Sequence, residues 1–336
     1  MKIIVMNNKN DIEKKYFEKV VYKFFPEIRN HLYLVNISNH NNNLTIKLNE
    51  NAFIDGYPDK YKPNSNKVVH FTSLKVLFSI LNEKAIRLYN LKSMNDPNEF
   101  SYIFENHKLN EKLINNLKSD IYISSFCDSS ILLENNDNIL NLWRLYGDGG
   151  NGVAIEFEID KDIKHKFNFM LTKLVYTKIK IDEFLRYNNE FELENKVSVD
   201  YSNVLEYLAC LHKNPYYKIE EEIRLVHFGD STNPLGLGMR NKYNKLDMSE
   251  YYKPDISKSG EIINYYKFPL CKEIQNHPII SISKIQFGFK ISDKLFEEYK
   301  NFVNSFFKIW KSLKEYPLKN IPKPIIERSP LKDIYR

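Results

Sequence analysis

Most is learned from the segment Lys213-Asn-Pro-Tyr-Tyr217-Lys-Ile-Glu220-Glu-Glu222-Ile-Arg224-Leu-Val, whose last residues have the pattern of a β-strand. Side chains alternate along a strand, so Glu220, Glu222 and Arg224 are predicted on one face and the apolar side chains on the other. Three ionisable groups on one strand face repel or pair with one another, and such arrangements occur most often where charge does chemistry. The alternative is a solvated edge strand, on which alternating charges discourage aggregation.

Composition places the chain among globular proteins. It has 336 residues with 43% hydrophobic and 14% aromatic content, which is enough for a large core. The sequence shows no run of about 18 apolar residues and no signal-peptide pattern at its start, so we expect a cytoplasmic protein without a membrane partner. The three cysteines form no C-x-x-C pair, which predicts reduced thiols. The net charge of +6 is spread along the chain and does not identify a partner.

The order of elements predicts an α+β fold with mixed, mostly antiparallel sheets and flanking helices, because strands outnumber the helices between them after residue 150. A turn-rich segment before residue 67 predicts a small N-terminal α/β module at 1–66, a main domain at 67–316 and a tail at 317–336 that packs over the surface or is partly mobile. The predicted strands are 31–38, 44–48, 68–72, 87–91, 121–127, 152–158, 171–178, 219–228, 262–270 and 279–287. The predicted helices are 11–25, 137–146, 197–211 and 293–313, with a further helix after Ser73.

His70 and Thr72 share one face of a short predicted strand, and Ser73 is placed to cap the helix that follows. Backbone donors and the dipole at a helix N-terminus favour anionic groups such as a pyrophosphate. A core histidine at a strand end is the alternative. The glycine-rich loop 147–152 lacks the lysine of a P-loop and is predicted to end one helix and start the next strand.

Six short motifs resemble, in the same order, those of the bacterial DUF2971 family, and the resemblance runs from about Val68 to about Lys290. Residues 1–66 lie outside it. The motifs are His70-Phe-Thr72-Ser73, Asn95-Asp96-Pro97-x-Glu99, Ser124-Ser-Phe126, Trp143-x-x-Tyr146, Gly152-Val-Ala-Ile-Glu-Phe157 and Lys213-x-x-x-Tyr217-x-x-Glu220-x-Glu222-x-Arg224.

That family is similar to the ADP-ribosyltransferase fold, whose members use a His or Arg of an early strand to bind NAD and a Glu of a late strand for catalysis. The resemblance implies an ADP-ribosyltransferase-like core in the main domain, with NAD as the substrate and no metal. Glu222 would stabilise the oxocarbenium character that develops when the nicotinamide–ribose bond breaks. Glu220, one strand repeat away, would orient the acceptor.

The resemblance also implies a set of residues that contact NAD. The histidine would hydrogen-bond the adenosine-side ribose, with help from the two hydroxyls that follow it. The two aromatic side chains would stack on nicotinamide, or belong to the apolar stripe of their helix. The arginine would bind a phosphate or neutralise the two carboxylates. These residues are His70, Thr72, Ser73, Trp143, Tyr146 and Arg224.

The function implied by the resemblance is the transfer of ADP-ribose to a nucleic acid or a protein, in a toxin or phage-defence setting. One alternative is an NAD glycohydrolase, which uses water as the acceptor at the same site. Another is a catalytically silent module that binds a nucleotide or a partner protein. The sequence contains no zinc-protease, hydrolase-elbow, Rossmann or P-loop pattern, and its histidines lack a metal-ligand spacing.

Overall fold

The computed structural model describes residues 11–24, 35–40, 43–48, 61–91, 121–133, 137–160, 169–176, 181–228, 251–257, 260–274, 277–312 and 322–334. The chain divides into two compact units. The first unit comprises Met1–Lys62, Asp96–Lys118 and Leu174–Pro215, and the second comprises Pro63–Asn95, Ser119–Lys173 and Tyr216–Arg336. This division differs from the predicted domains, because two segments of the predicted main domain belong to the first unit.

The described elements follow one another in a mixed order. The helices are α1 (Asp11–Tyr16), α2 (Tyr22–Phe24), α3 (Leu74–Glu83), α4 (Asp137–Leu145), α5 (Ile181–Asn195), α6 (Ser202–Leu211) and α7 (Asp293–Ser312). The strands are β1 (Val35–His40), β2 (Asn43–Leu48), β3 (Lys67–Thr72), β4 (Ala85–Asn90), β5 (Ile121–Asp128), β6 (Val153–Ile159), β7 (Phe169–Lys173), β8 (Ser198–Asp200), β9 (Glu222–Phe228), β10 (Tyr252–Ile256), β11 (Ile262–Pro269), β12 (Ile280–Phe287) and β13 (Ile325–Arg328). A π-helical segment joins α1 to α2, and short 3-10 helices cover Ser129–Leu132, Asp148–Gly150, Pro215–Glu220 and Pro330–Asp333.

The first unit contains a small sheet in the order β1-β2-β8, in which β1 and β2 are antiparallel and β8 runs parallel to β2. Tyr16 at the end of α1 is buried and donates its hydroxyl hydrogen to Asn188 Oδ1 of α5 at 2.5 Å. Its ring also meets Phe191 edge-on at 5.0 Å. The buried amide therefore has a partner, as a polar group removed from water requires.

The second unit is built on a ten-stranded sheet. Its main path is β10-β11-β4-β5-β3-β6-β12-β13, and β9 pairs with both β5 and β7. The pairs in this sheet are antiparallel except β12 with β13, which is parallel. The predicted α+β class with a mixed, mostly antiparallel sheet is therefore confirmed.

This sheet has a gap near its middle, because β5 is paired along only part of one of its edges. Along one edge, β5 pairs with β9 from Ile121 to Cys127 without interruption. Along the other edge it pairs with β4 only at Tyr122 and Ile123, and with β3 only from Cys127 onward. Residues 124–126 therefore face a gap between β3 and β4, and backbone groups that point into such a gap need partners other than a strand.

Helices cover both faces of the sheet. On one face, α3 and α7 bury Leu77, Leu81, Phe307 and Trp310 against apolar side chains of β6, β9 and β12. On the other face, α4 buries Trp143 against Phe71 and Phe289. Full burial of one such large apolar side chain stabilises the fold by about 1.5–3 kcal/mol. These two layers hold β3, β5 and β9 in place around the gap.

The prediction of one strand over 219–228 is wrong at its start. Residues Pro215–Glu220 form a 3-10 helix, and Glu221 has a positive φ of 42°, so the strand begins at Glu222. Proline favours this outcome, because its fixed φ suits the first turn of a helix. Glu220 consequently does not lie on the strand face that Glu222 and Arg224 share.

Other predicted boundaries also differ from those in the structure. The predicted helix 197–211 is wrong at its start, because Ser198–Asp200 pairs with β2 and the Asp200 carboxylate accepts the backbone N–H of Ser202, where α6 begins. The pattern did not predict α5, β10 or β13. Within the described part of the tail, β13 extends the sheet beside β12. The motif at residues 95–99 and the predicted strand residues 31–34 and 177–178 lie outside the described residues.

Candidate functional site

A cavity of about 370 Å³ lies where the sheet opens between β3 and β4. It is bordered by residues 123–126 of β5, by side chains of β3 and β4, and by one side of α3. Its volume falls within the range of about 300–1,000 Å³ that is typical of small-molecule sites. Its walls combine aliphatic and aromatic side chains with about as many polar ones, and the polar groups can orient a ligand.

His70 borders this cavity from β3 and closes the gap in the backbone hydrogen bonds of β5. Its Nδ1 lies 3.0 Å from the carbonyl oxygen of Ser125. Because a carbonyl can only accept, Nδ1 carries the hydrogen of the neutral ring and Nε2 remains an acceptor. Burial lowers the pKa of His70, although the hydrogen bond to Ser125 acts in the opposite direction. The ring is therefore neutral near pH 7.

Thr72 also borders the cavity, and Ser73 acts as the N-cap of α3. The Ser73 hydroxyl accepts the backbone N–H of Val76 at 3.4 Å, which confirms the predicted cap. Gly152 packs against the end of β3, where an added Cβ would lie 2.1 Å from the Thr72 carbonyl oxygen. The loop 147–152 thus connects the end of α4 to the start of β6, as its sequence predicts. Within the loop, the Gly152 N–H donates to the Gly147 carbonyl oxygen.

The other end of the cavity carries an ion-pair network that the sequence analysis missed. Arg87 of β4 donates from Nε to Glu83 Oε2 at 3.2 Å and from Nη1 to Asp255 Oδ2 at 2.6 Å, and also contacts Glu83 through Nη2. Its guanidinium lies over the Tyr265 ring at 4.6 Å. Glu83 and Arg87 both border the cavity. Their i, i+4 spacing was a visible signal, but Asp255 joins them only through the pairing of β10, β11 and β4.

Glu222 and Arg224 form a buried ion pair on β9. Arg224 Nε lies 2.7 Å from Glu222 Oε1, and each side chain is only 3% exposed. Glu222 Oε1 also accepts the hydroxyl hydrogen of Ser125 at 2.5 Å. Ser125 lies directly opposite Arg224 in the β5–β9 ladder, so the three side chains share one face of the sheet.

Glu220 lies beside this pair but is held separately. Its Oε1 accepts the hydroxyl hydrogen of Tyr146 at 2.7 Å, and its carbonyl oxygen accepts the Cys127 thiol at 3.3 Å. Glu220 is buried, whereas Tyr146 is 46% exposed. Burial and the surrounding carboxylates raise the pKa of Cys127, so this thiol is not an activated nucleophile.

The structure therefore divides the predicted site residues into groups. His70 and Thr72 border the cavity, whereas Glu220, Glu222 and Arg224 belong to the polar cluster on the other side of β5 and are not among its described lining residues. Trp143 is fully buried between Phe71 and Phe289, so its ring has no face open to a ligand. Ser125 joins the two groups, because its carbonyl oxygen binds His70 and its hydroxyl binds Glu222.

The motif Ser124-Ser-Phe126 was visible in the sequence, yet no role for Ser125 followed from it. A strand pattern does not show that the ladder opens at this residue.

Comparison with protein families identifies one segment of the chain. The family model DUF2971, described as a protein of unknown function, matches residues 142–225. This stretch of the chain belongs to DUF2971. The DUF2971 segment runs from α4 to β9 and so includes Trp143, Tyr146, Glu220, Glu222 and Arg224. No curated protein and no solved structure matches the chain. The relation of DUF2971 to ADP-ribosyltransferases stays a prediction.

Two further observations concern metals and membranes. Among the described residues, no three His, Cys, Asp or Glu side chains are grouped in a way that could hold a metal ion. None of the described helices has both the length and the apolar content needed to cross a bilayer.

Proposed function

We propose that this chain is an NAD-dependent ADP-ribosyltransferase-like protein that modifies a nucleic acid or a protein. The observation that carries the proposal is the double contact of Ser125, which links the cavity histidine to a buried carboxylate within one strand residue. His70 presents Nε2 as an acceptor for a ribose hydroxyl at the cavity. Glu222 lies on the adjoining side of β5, with a charge that suits stabilisation of an oxocarbenium-like transition state.

The reaction requires Glu222 to reach the ribose that is cleaved. In the structure, the Ser125 hydroxyl donates to Glu222 Oε1 at 2.5 Å, which is the kind of contact that a ribose hydroxyl would make. A bound ribose therefore has to replace the Ser125 hydroxyl at this oxygen. Arg224 holds the carboxylate in place through its Nε at 2.7 Å while this exchange takes place.

A second candidate function is supported by the burial of this carboxylate. Glu222 is 2% exposed and is paired with Arg224, so it also fits a structural role under a cavity that only binds its ligand. The protein would then be a catalytically silent nucleotide-binding module. In that case, removing the charge of Glu222 leaves ligand binding at His70 intact if the fold is preserved.

The test is nicotinamide release from NAD by wild type, Glu222→Gln and His70→Ala, each alone and with cell lysate as a source of acceptor. The proposal predicts that both variants lose most of the release, since one loses the transition-state charge and the other a ribose contact. Loss of a charge that is aligned only with the transition state costs about 10²–10³ in rate. Labelling of a macromolecule by the ADP-ribose group separates transfer from hydrolysis.

Glu158→Gln serves as the matched control, because Glu158 is an exposed carboxylate on β6 of the same sheet. Circular dichroism and tryptophan fluorescence confirm that each variant is folded. If folded Glu222→Gln releases nicotinamide as fast as wild type does, Glu222 is excluded as the catalytic group. If wild type releases no nicotinamide with or without lysate, yet binds NAD in a manner that depends on His70, the silent module is the correct function.

A further inference from the structure

Tyr146 is an exposed tyrosine whose hydroxyl is bound to a buried carboxylate. The hydroxyl donates to Glu220 Oε1 at 2.7 Å. Tyr146 is 46% exposed, whereas Glu220 is only 8% exposed. A hydroxyl that a ligand can reach is therefore held by a group that can take its proton. This is the arrangement of an activated nucleophile, in which the nucleophile and its base lie within about 2.6–3.2 Å of each other.

The backbone on each side of this contact is held in place. Tyr146 directly follows α4, and its N–H donates to the Leu142 carbonyl oxygen at 2.9 Å. Trp143, which is fully buried, anchors the same turn of the helix. Glu220 ends a 3-10 helix, and its carbonyl oxygen accepts the Cys127 thiol at 3.3 Å. The hydroxyl and the carboxylate are thus positioned before any ligand binds, which reduces the ordering that binding would otherwise require.

The contact lies on the same face of the sheet as Glu222. Cys127 is directly opposite Glu222 in the β5–β9 ladder, so the two side chains share one face. Cys127 packs in the apolar cluster that contains Trp143, which identifies this face as the one that α4 covers. Burial, and then the charges of Glu222 and Glu220, raise the pKa of Cys127, as expected if both carboxylates lie near this thiol. The Tyr146 hydroxyl is therefore on the face where Glu222 is proposed to act.

We infer that Tyr146 is a nucleophile activated by Glu220, and a site at which this chain modifies itself by taking up an electrophilic sugar carbon. Under the proposed function, this carbon is the anomeric carbon of the ribose that carries nicotinamide in NAD. The inference rests on the proposed function for the identity of the donor. The activation of the hydroxyl rests on the contact between Tyr146 and Glu220 alone.

The transfer step is balanced without any further reactant. The Tyr146 oxygen forms a bond to the anomeric carbon while the bond from that carbon to the nicotinamide nitrogen breaks. The electrons of the broken bond pass to the pyridinium ring, which leaves as neutral nicotinamide. The phenolic proton passes to Glu220 Oε1. General-base catalysis of this kind typically contributes about 10²–10⁴ in rate.

The first experiment incubates the full chain with NAD and locates any ADP-ribosyl group by mass spectrometry of its peptides. Wild type is expected to carry the group on Tyr146. In Glu220→Gln, the amide still accepts a hydrogen bond but cannot take the proton, so this adduct should form at least about 100-fold more slowly. Glu221→Gln is the matched control, because it removes an exposed carboxylate at the next position of the chain. It should form the adduct within about threefold of the wild-type rate.

The second experiment tests the activation of Tyr146 without NAD. An aryl sulfonyl fluoride transfers its sulfonyl group to a tyrosine oxygen with loss of fluoride, and peptide mapping gives the rate at each tyrosine. Tyr146 is expected to react at least about tenfold faster than Tyr216, although Tyr216 is 92% exposed. Glu220→Gln should remove this advantage and Glu221→Gln should keep it. Should Glu220→Gln not fold, the comparison of the two tyrosines on wild type still decides the activation.

Two results overturn the inference: sulfonylation of Tyr146 no faster than that of Tyr216, or nicotinamide release from NAD without an ADP-ribosyl group on Tyr146. The second result leaves the proposed function standing. Sulfonylation of Tyr146 that depends on Glu220, in a chain that does not consume NAD, has the opposite meaning. It removes the proposed function and supports the activated tyrosine, with a different donor of the electrophilic sugar carbon.

Discussion

The buried pair of Glu222 and Arg224 gives the sharpest stability prediction. In Arg224→Met, the side chain keeps most of its length but loses its charge, and the Glu222 carboxylate stays in a place where it is only 3% exposed. Removing one partner of a buried ion pair typically costs about 3–5 kcal/mol of unfolding free energy, because the remaining charge is buried without its counter-ion. We expect a loss of this size for Arg224→Met.

The double variant Glu222→Met/Arg224→Met separates the charge from the packing. A buried ion pair can often be replaced by apolar side chains of similar volume at little cost. The double variant is therefore expected to lie within about 1–2 kcal/mol of wild type, which makes it more stable than the single variant. Lys300→Met is the matched control, because Lys300 forms an exposed pair with Glu297 at 3.7 Å. Loss of such a pair should cost less than about 1 kcal/mol.

Urea unfolding monitored by tryptophan fluorescence measures these differences. Both tryptophans of the chain, Trp143 and Trp310, belong to the second unit, so their signal reports the unit that contains the ion pair. A loss below about 1 kcal/mol for Arg224→Met would refute the reasoning, because that value is typical of a solvent-exposed pair. Glu222 would then be open to water or to a ligand. A double variant as unstable as the single one would show that other contacts of these side chains dominate.

Three further outcomes are expected. The unfolding free energy should decrease as the pH falls below about 6.5, because the folded state holds His70 neutral with a lowered pKa while the unfolded chain takes up the proton. The decrease should be smaller in His70→Gln, and urea titrations at several pH values that gave both proteins the same dependence of unfolding free energy on pH would contradict this. Gly152→Ala should cost about 1–3 kcal/mol more than Gly260→Ala, since its Cβ would meet backbone at 2.1 Å, whereas a Cβ at Gly260 would meet nothing within 4 Å and is disfavoured only by the positive φ of 86°. Equal melting temperatures of the two variants would count against this. The three buried cysteines should react with a thiol reagent only after unfolding, because burial raises the pKa of Cys127 and raises that of Cys271 to about 12, and rapid reaction of the folded chain would exclude this.

Local patterns predicted many elements of the second unit. Strands β3, β5, β6, β11 and β12 lie within two residues of the positions that hydrophobic alternation indicates, and α7 follows its apolar stripe. The Ser73 cap and the loop before Gly152 also behave as their residue types predict. The alternation pattern wrongly placed Glu220 in a strand, because a charged residue just before a strand cannot be told by pattern from a charged residue within it. A proline five residues earlier started a helical turn instead.

What the sequence determined by itself is which residues favour a helix or strand, which side chains need burial, and where a helix begins. These properties depend on neighbours a few residues away, so they are written in the local pattern. Only the tertiary structure decided that β5 pairs with both β3 and β4 and leaves Ser125 between His70 and Glu222. It alone also brought Asp255 to Arg87. Such contacts join residues far apart in the chain, and the packing of the whole sheet selects them, because no local propensity favours one distant partner over another.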